Sequence, residues 1–148
     1  MTTSTAVQFL AVTDADFDAL ADLRALAMRP SLERLGRYDP ERSRQRLRAS
    51  FVAADTRWIS LDGAQVGFYA LAAEEDALRL KHLYLHPDAQ GKGLGRKVVD
   101  RAIAQAHETS RTLRLTALRG SESNAFYLRC GFVQTGEEQW DIHYEYRR

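Results

Sequence analysis

Between a run that alternates as a strand, Leu78–Leu85, and a run patterned as a helix, Leu94–Glu108, the chain reads Gln90-Gly91-Lys92-Gly93-Leu94-Gly95. Glycine loses more conformational freedom on folding than any other residue, so three of them ahead of a helix imply that something approaches the backbone closely. A helix N-terminus explains what. Its first N–H groups lack intrahelical partners and carry partial positive charge, so phosphate oxygens can dock directly on main-chain donors. Gly91, Gly93 and Gly95 would line that cradle. The commonest nucleotide loops fit this spacing poorly, so a nucleotide-binding protein is only a third reading: a P-loop needs G-x-x-x-x-G-K-[ST], which Gly91 does not begin, and the G-x-G-x-x-G fingerprint fails at Arg96.

Composition narrows the remaining choices. A length of 148 residues suits one domain with a sizeable core, and 45% hydrophobic with 28% charged residues is ordinary globular composition. No repeat, low-complexity tract or Pro/Ser-rich linker interrupts it, so residues 1–148 are expected to form a single domain. A formal net charge of +1 argues against a general binder of nucleic acid or anionic membrane. No apolar run approaches the roughly 20 residues of a membrane span, and the start, MTTSTAVQFLAV, lacks the basic flank and apolar core of a signal peptide. The single cysteine, Cys130, excludes an internal disulfide and fits a reducing compartment, so a cytoplasmic location is expected.

Local signals place the other elements. Val7–Val12 reads as a strand, followed by Thr13 and Asp14 as helix caps and by Phe17, Leu20, Leu23, Ala27 and Met28 on one helical side. Pro30 is expected to stop that helix. Asp39-Pro40-Glu41 is a strong second start, with cap, proline at the first helical position and an acid in the first turn. The helix to about Phe51 carries Arg42, Arg44, Arg46 and Arg48, which suit a solvated face first and an anion site second, with Leu47 and Phe51 inward. Arg57–Leu61, Asp62-Gly63 and Gln65–Ala73 read as a hairpin, because Asp-Gly supplies the positive φ angles of a tight turn. In the long helix Leu94, Val98, Ala102 and Ile103 form one stripe, with Val99 and Ala106 beside it. Thr112–Leu118 alternates as a buried strand, Ser121 or Ser123 is expected to cap a short helix that Gly131 ends, and Phe132–Thr135 and Trp140–Tyr146 close the chain as strands. The tally is an α/β (α+β) fold, a mixed sheet with helices on its faces.

The loop Gln90–Gly95 resembles the Q/R-x-x-G-x-G/A signature of the GCN5-related N-acetyltransferases, the GNAT family. Two further segments share the resemblance in order: Leu83-Tyr84-Leu85-His86-Pro87 is similar to the family's fourth strand and its loop, and Phe126-Tyr127 with Gly131-Phe132 to its F-Y-x-x-x-G-F segment. From Trp58 to Val133, about half of the chain, the order of elements is similar to the family's as well. The resemblance implies a single GNAT-like domain: a mostly antiparallel sheet of about six to seven strands, about four helices, and fourth and fifth strands that splay apart. It also implies acetyl-CoA as cofactor, its diphosphate on Gln90, Gly91, Lys92, Gly93, Leu94, Gly95 and Arg96, and its pantetheine arm along the backbone of Leu83, Tyr84 and Leu85. An N–H of Leu83 or Leu85 would face the thioester carbonyl and stabilise developing negative charge.

The reaction so implied is acetyl transfer to a primary amine of a small molecule or peptide by direct attack in a ternary complex. The amine, of solution pKa about 10, must lose a proton, and the departing thiolate gains from receiving one. Tyr127 occupies the position of the family's general-acid tyrosine; the alternative is that Phe126 and Tyr127 simply pack the short helix. The family's usual strand glutamate is missing, since the chain reads Leu80-Lys81-His82-Leu83. His82, of unperturbed pKa about 6.5, is the candidate base, against a structural hydrogen-bonding role or a water chain. Gly120 stands where many members have an asparagine, and Asn124 either takes over that cofactor contact or serves the turn.

The remaining residues weigh towards structure. Cys130 has apolar neighbours and no activating histidine, and His86, His107 and His143 lack metal-ligand spacing, so no metal is expected. Trp140, Tyr144 and Tyr146 suit core packing first, and a substrate wall or homodimer contact second. The acceptor side implied by the family, about Asp14 to Ala49, offers Arg24, Met28, Arg29, Arg37 and Tyr38 as lining. The expected partner is a small-molecule amine, with no nucleic acid and no membrane. The alternative from another class is a noncatalytic acyl-CoA-binding or regulatory module.

Overall fold

The computed structural model of the chain describes residues 6–146. In chain order they form β1 (Val7–Ala11), α1 (Phe17–Arg34), α2 (Pro40–Ser50), β2 (Thr56–Leu61), β3 (Ala64–Ala73), β4 (Ala77–Leu85), α3 (Leu94–Glu108), β5 (Thr112–Leu118), α4 (Ser123–Arg129), β6 (Phe132–Glu137) and β7 (Asp141–Tyr146). Hydrogen-bonded neighbours follow the order β1-β2-β3-β4-β5-β7-β6. The pairs β1–β2, β2–β3, β5–β7 and β6–β7 are antiparallel and β4–β5 is parallel. This is the mixed, mostly antiparallel sheet the sequence suggests. The β4–β5 ladder runs from Ala77–Thr112 to Leu80–Leu115, and both strands continue past it, β4 to Leu85 and β5 to Leu118. Among the described residues no helix is long and apolar enough to cross a membrane.

The described residues group into two compact units: residues 6–70 with His82–Leu94, and Leu71–Lys81 with residues 95–146. In the first, the β2–β3 hairpin turns on Asp62 (φ 52°) and Gly63 (φ 89°), the two positive angles that Asp-Gly favours. Its core gathers Val12, Phe17, Leu20, Ala21, Leu47, Trp58 and Phe68, with Phe51 and Tyr84 packed at the margin. Fully burying side chains of this size stabilises by about 1.5–3 kcal/mol each. Thr13 caps a short 3-10 turn, Asp14–Asp16, that leads into α1, and Asp39 accepts from Glu41 N and Arg42 N at 3.1 and 3.2 Å to start α2.

Pro30 does not stop α1, which runs on to Arg34. Proline removes the N–H that would bond the Leu26 carbonyl and crowds that carbonyl. Here Leu26 and Pro30 are exposed, so water can serve the freed oxygen, and the buried residues of the helix, Phe17, Leu20, Ala21 and Arg24, all precede the lesion.

In the second unit β5 alternates as expected, burying Leu113, Leu115 and Ala117. The stripe of α3 is likewise buried at Val98, Val99, Ala102 and Ala106. The cap of α4 differs from expectation. Glu122 holds the N-cap position without a side-chain bond, while the Ser121 and Ser123 hydroxyls lie 2.6 Å apart and pair with each other. Gly131, at φ 98°, ends the segment as its position after the helix suggests.

Candidate active site

The glycines of the loop do two different jobs. Gly91 and Gly93 take φ of 78° and 79°, and an added Cβ at either would meet nothing within 4 Å. Their absence of side chains therefore serves backbone conformation and leaves open space over the main chain. Gly95 has no positive φ; a Cβ there would stand 3.2 Å from Phe126 Cζ, so this glycine makes room for an aromatic ring. Lys92 is exposed. Arg96 pairs with Asp100 at 3.0 Å one helical turn on.

The loop is tied to the end of β4. Gln90 Nε2 donates to the Leu85 carbonyl at 3.2 Å, and His86 Nδ1 accepts from Asp88 N at 3.1 Å, shaping the turn Pro87–Ala89. Gly67 on β3, which sequence reasoning passed over, holds the same place from the other side. A Cβ at Gly67 would come 2.5 Å from the Tyr84 carbonyl oxygen and 2.8 Å from Leu85 Cδ2. A glycine inside a strand pattern is itself the signal of such a close approach.

Alternation along β4 puts His82 and Tyr84 on one face. Their ring centroids are 5.7 Å apart, and Phe68 lies 6.2 and 5.4 Å from them. His82 Nε2 is 3.1 Å from Ser50 Oγ at the end of α2. Arg24 is buried behind Tyr84, its Nε donating to the Tyr84 hydroxyl at 3.3 Å and its Nη1 to Ser43 Oγ at 2.6 Å and Ser43 O at 3.1 Å. Met28 is half-buried on the same helix. Arg29 pairs with Glu33 and stacks over Tyr38 at 5.0 Å, so two of the proposed acceptor residues meet each other. Ser43 and Ser50 escaped the sequence reading because nothing local distinguishes them from other helical serines.

In the second unit Tyr127 is buried among Phe126, Phe132 and Tyr144, with centroids at 5.3, 5.6 and 6.2 Å. Asn124 is fully engaged. Its Nδ2 donates to Leu118 O at 2.8 Å and Ser121 O at 3.0 Å, and its Oδ1 accepts from the Tyr144 hydroxyl at 2.7 Å. The amide thereby fastens α4 to β5 and β7. Tyr144 is 3% exposed and belongs to the core, and Tyr146 packs its ring on Phe132 at 5.5 Å. Burial pushes the Cys130 thiol up, only partly opposed by the nearby Arg96, which keeps it the inert neutral group its surroundings suggest.

A glycine-lined loop joins the end of β4 to the start of α3, and comparison with known proteins assigns the class of protein to which such a loop belongs here. The model of the acetyltransferase (GNAT) domain matches residues 48–134, more than half of the chain, and the chain belongs to that family. Over 57 residues it is 35% identical to the L-amino acid N-acyltransferase MnaT of Escherichia coli (strain K12), covering 37% of this chain and 33% of that protein. Over 106 residues it is 29% identical to the 5-NmdU N-acetyltransferase of Pseudomonas phage PaMx11, covering 68% of this chain and 75% of the relative. The crystal structure of PaiA N-acetyltransferase from Thermoplasma acidophilum in complex with coenzyme A shares the fold with a TM-score of 0.78 at 18% identity, over 99% of this chain and 100% of that one.

Proposed function

We propose that the chain is an acetyl-CoA-dependent N-acetyltransferase acting on a primary amine of a small molecule, by direct attack in a ternary complex, with residues 1–148 serving as one catalytic domain. One observation carries the cofactor assignment: Gly91 and Gly93 adopt left-handed backbone angles with open space where side chains would stand, at the start of α3. Those features fit a diphosphate held by main-chain N–H groups. Gln90, Gly91, Lys92, Gly93, Leu94, Gly95 and Arg96 would hold it, and the backbone of Leu83, Tyr84 and Leu85 would hold the pantetheine arm. The length of β4 beyond its ladder with β5 supports that arrangement. When bound, acetyl-CoA supplies the activated acyl carbon and a thiolate leaving group.

The side chains then divide the proton work. His82 accepts a proton from the acceptor's ammonium group, which frees the neutral amine to attack the thioester carbonyl, and its contact with Ser50 Oγ orients the ring for this. Tyr127 donates to the departing sulfur. Its burial beside Phe126, Phe132 and Tyr144 holds the phenol in one position. Asn124, whose donors serve Leu118 and Ser121, acts by fixing the helix that carries Tyr127. A noncatalytic acyl-CoA-binding module is the second reading, favoured by the lack of an acid in Leu80–Leu83.

Thermal shift with CoA, acetyl-CoA, ATP and NAD separates these readings, since a ligand that binds the native state raises its apparent stability. Stabilisation by the CoA species alone is expected. Turnover of acetyl-CoA with an amine panel then excludes the noncatalytic module, and Tyr127→Phe is expected to lower kcat by about a hundredfold or more with CoA affinity nearly unchanged. Equal kcat in that variant would remove Tyr127 from the chemistry.

A further inference from the structure

Arg24 is a buried cation that no carboxylate among the described residues neutralises; its Cζ lies 5.5 Å over the Tyr84 ring, a contact that offsets only part of the cost of burying its charge. It is 8% exposed, and its donors go to neutral groups: the Ser43 hydroxyl and carbonyl, and the Tyr84 hydroxyl. No carboxylate among the described residues pairs with it, whereas Arg29, Arg44, Arg79, Arg96, Arg114 and Arg119 each have one. A buried charge without a counter-charge is costly, and a guanidinium does not escape by losing its proton. The arrangement makes sense if an anion completes it.

Tyr84 shows how the anion is reached. Its oxygen accepts from Arg24 Nε at 3.3 Å, so its own hydrogen must go elsewhere, and no acceptor for it exists among the described residues. A phenol that accepts a charge-assisted bond is polarised into a better donor. Tyr84 is only half-buried, so that donor can meet a ligand while Arg24 stays behind it. His82 lies beside it on the same strand face, with Phe68 as an apolar neighbour to both rings.

We propose that Tyr84 O–H, backed by the Arg24 guanidinium, binds a carboxylate on the amine acceptor, which makes the acceptor an amino carboxylate and Tyr84 and Arg24 its specificity determinants. One buried positive charge matches one carboxylate; a phosphate dianion would leave negative charge unmatched. The carboxylate at Tyr84 leaves the amine of a small amino acid on the His82 side. As a statement about the transfer reaction this rests on the acetyltransferase reading, but the anion site itself does not.

The test sets the common L-amino acids and β-alanine against their amides, with phosphoethanolamine as the dianion, on the full chain. Binding is read by thermal shift, and kcat/KM with acetyl-CoA. At least one acid is expected to exceed its amide by about tenfold or more, mainly through KM, as a charge-assisted bond predicts. Tyr84→Phe should collapse that acid-to-amide ratio towards unity. Arg24→Gln should do the same where it folds, and Tyr84→Phe, which keeps the ring, decides the matter where it does not. Amides equal to acids throughout, a preference for phosphoethanolamine, or an unchanged ratio in Tyr84→Phe overturns the site. If acids stabilise the wild-type chain and not Tyr84→Phe, yet no amine is acetylated, the transfer reading fails and the anion site stands; equal turnover of acids and amides gives the reverse.

Discussion

An added Cβ at Gly95 would stand 3.2 Å from Cζ of Phe126. The third glycine of the loop and the first aromatic of the Phe126-Tyr127 segment, separate motifs along the chain, are thus one packing contact between the start of α3 and α4. Alanine at 95 gains about 1 kcal/mol of helix propensity and loses by displacing a half-buried ring. Gly95→Ala alone is therefore expected to shift stability by less than about 1 kcal/mol. In a Phe126→Leu background the same change should stabilise, with a coupling of about 0.5 kcal/mol or more in a double-mutant cycle by urea denaturation.

Gly91 and Gly93 should respond differently, because nothing lies within 4 Å of the missing side chain and only φ stands in the way. Left-handed backbone disfavours an L-residue by about 1–2 kcal/mol, so Gly91→Ala and Gly93→Ala should each lower stability by that amount. Calorimetry should show CoA affinity falling by about tenfold or more in both, since the new methyl occupies the space over the main-chain donors. An unchanged Kd would move the diphosphate away from this loop.

Asn124 joins three elements through one amide, so its loss should exceed that of an ordinary hydrogen bond. Asn124→Ala leaves the Leu118 and Ser121 carbonyls and the Tyr144 hydroxyl without this partner, and a loss of about 2–3 kcal/mol is expected. Tyr144→Phe removes one of those bonds and should cost about 1 kcal/mol. Because both changes break the same contact, the double variant should be less destabilised than the sum.

Alkaline pH offers a further check. Burial raises the Cys130 thiol, against the opposing pull of Arg96, and burial also raises the Tyr144 phenol. The unfolded chain then releases both protons at lower pH than the folded one. The associated stability is fully present below the unfolded values, about 8.5 and 10, and is lost as pH rises through the higher folded values. Tm should hold steady near neutrality and decline above about pH 9, with a shallower decline in Cys130→Ala and Tyr144→Phe. Equal slopes in all three chains would show that other groups govern the alkaline limb.

What the sequence determined by itself was whatever a few neighbouring residues dictate. The Asp39 cap, the positive φ pair at Asp62 and Gly63, and the spans Leu94–Glu108 and Thr112–Leu118 appear as read, because backbone preference and side-chain period act within one or two turns. The loop at Gly91 and Gly93 was legible for the same reason. Pro30 was misread because the local rule is a free-energy cost, and exposure of the helix end lets that cost be met. Only the tertiary structure decided that Gly95 serves Phe126, that Gly67 admits the Tyr84 carbonyl, and that Arg24 turns inward to Ser43, 19 positions on, and Tyr84, 60 positions on. Those roles follow from which surfaces the fold brings together, and burial and hydrogen-bond partnership across such distances have no signature in adjacent residues.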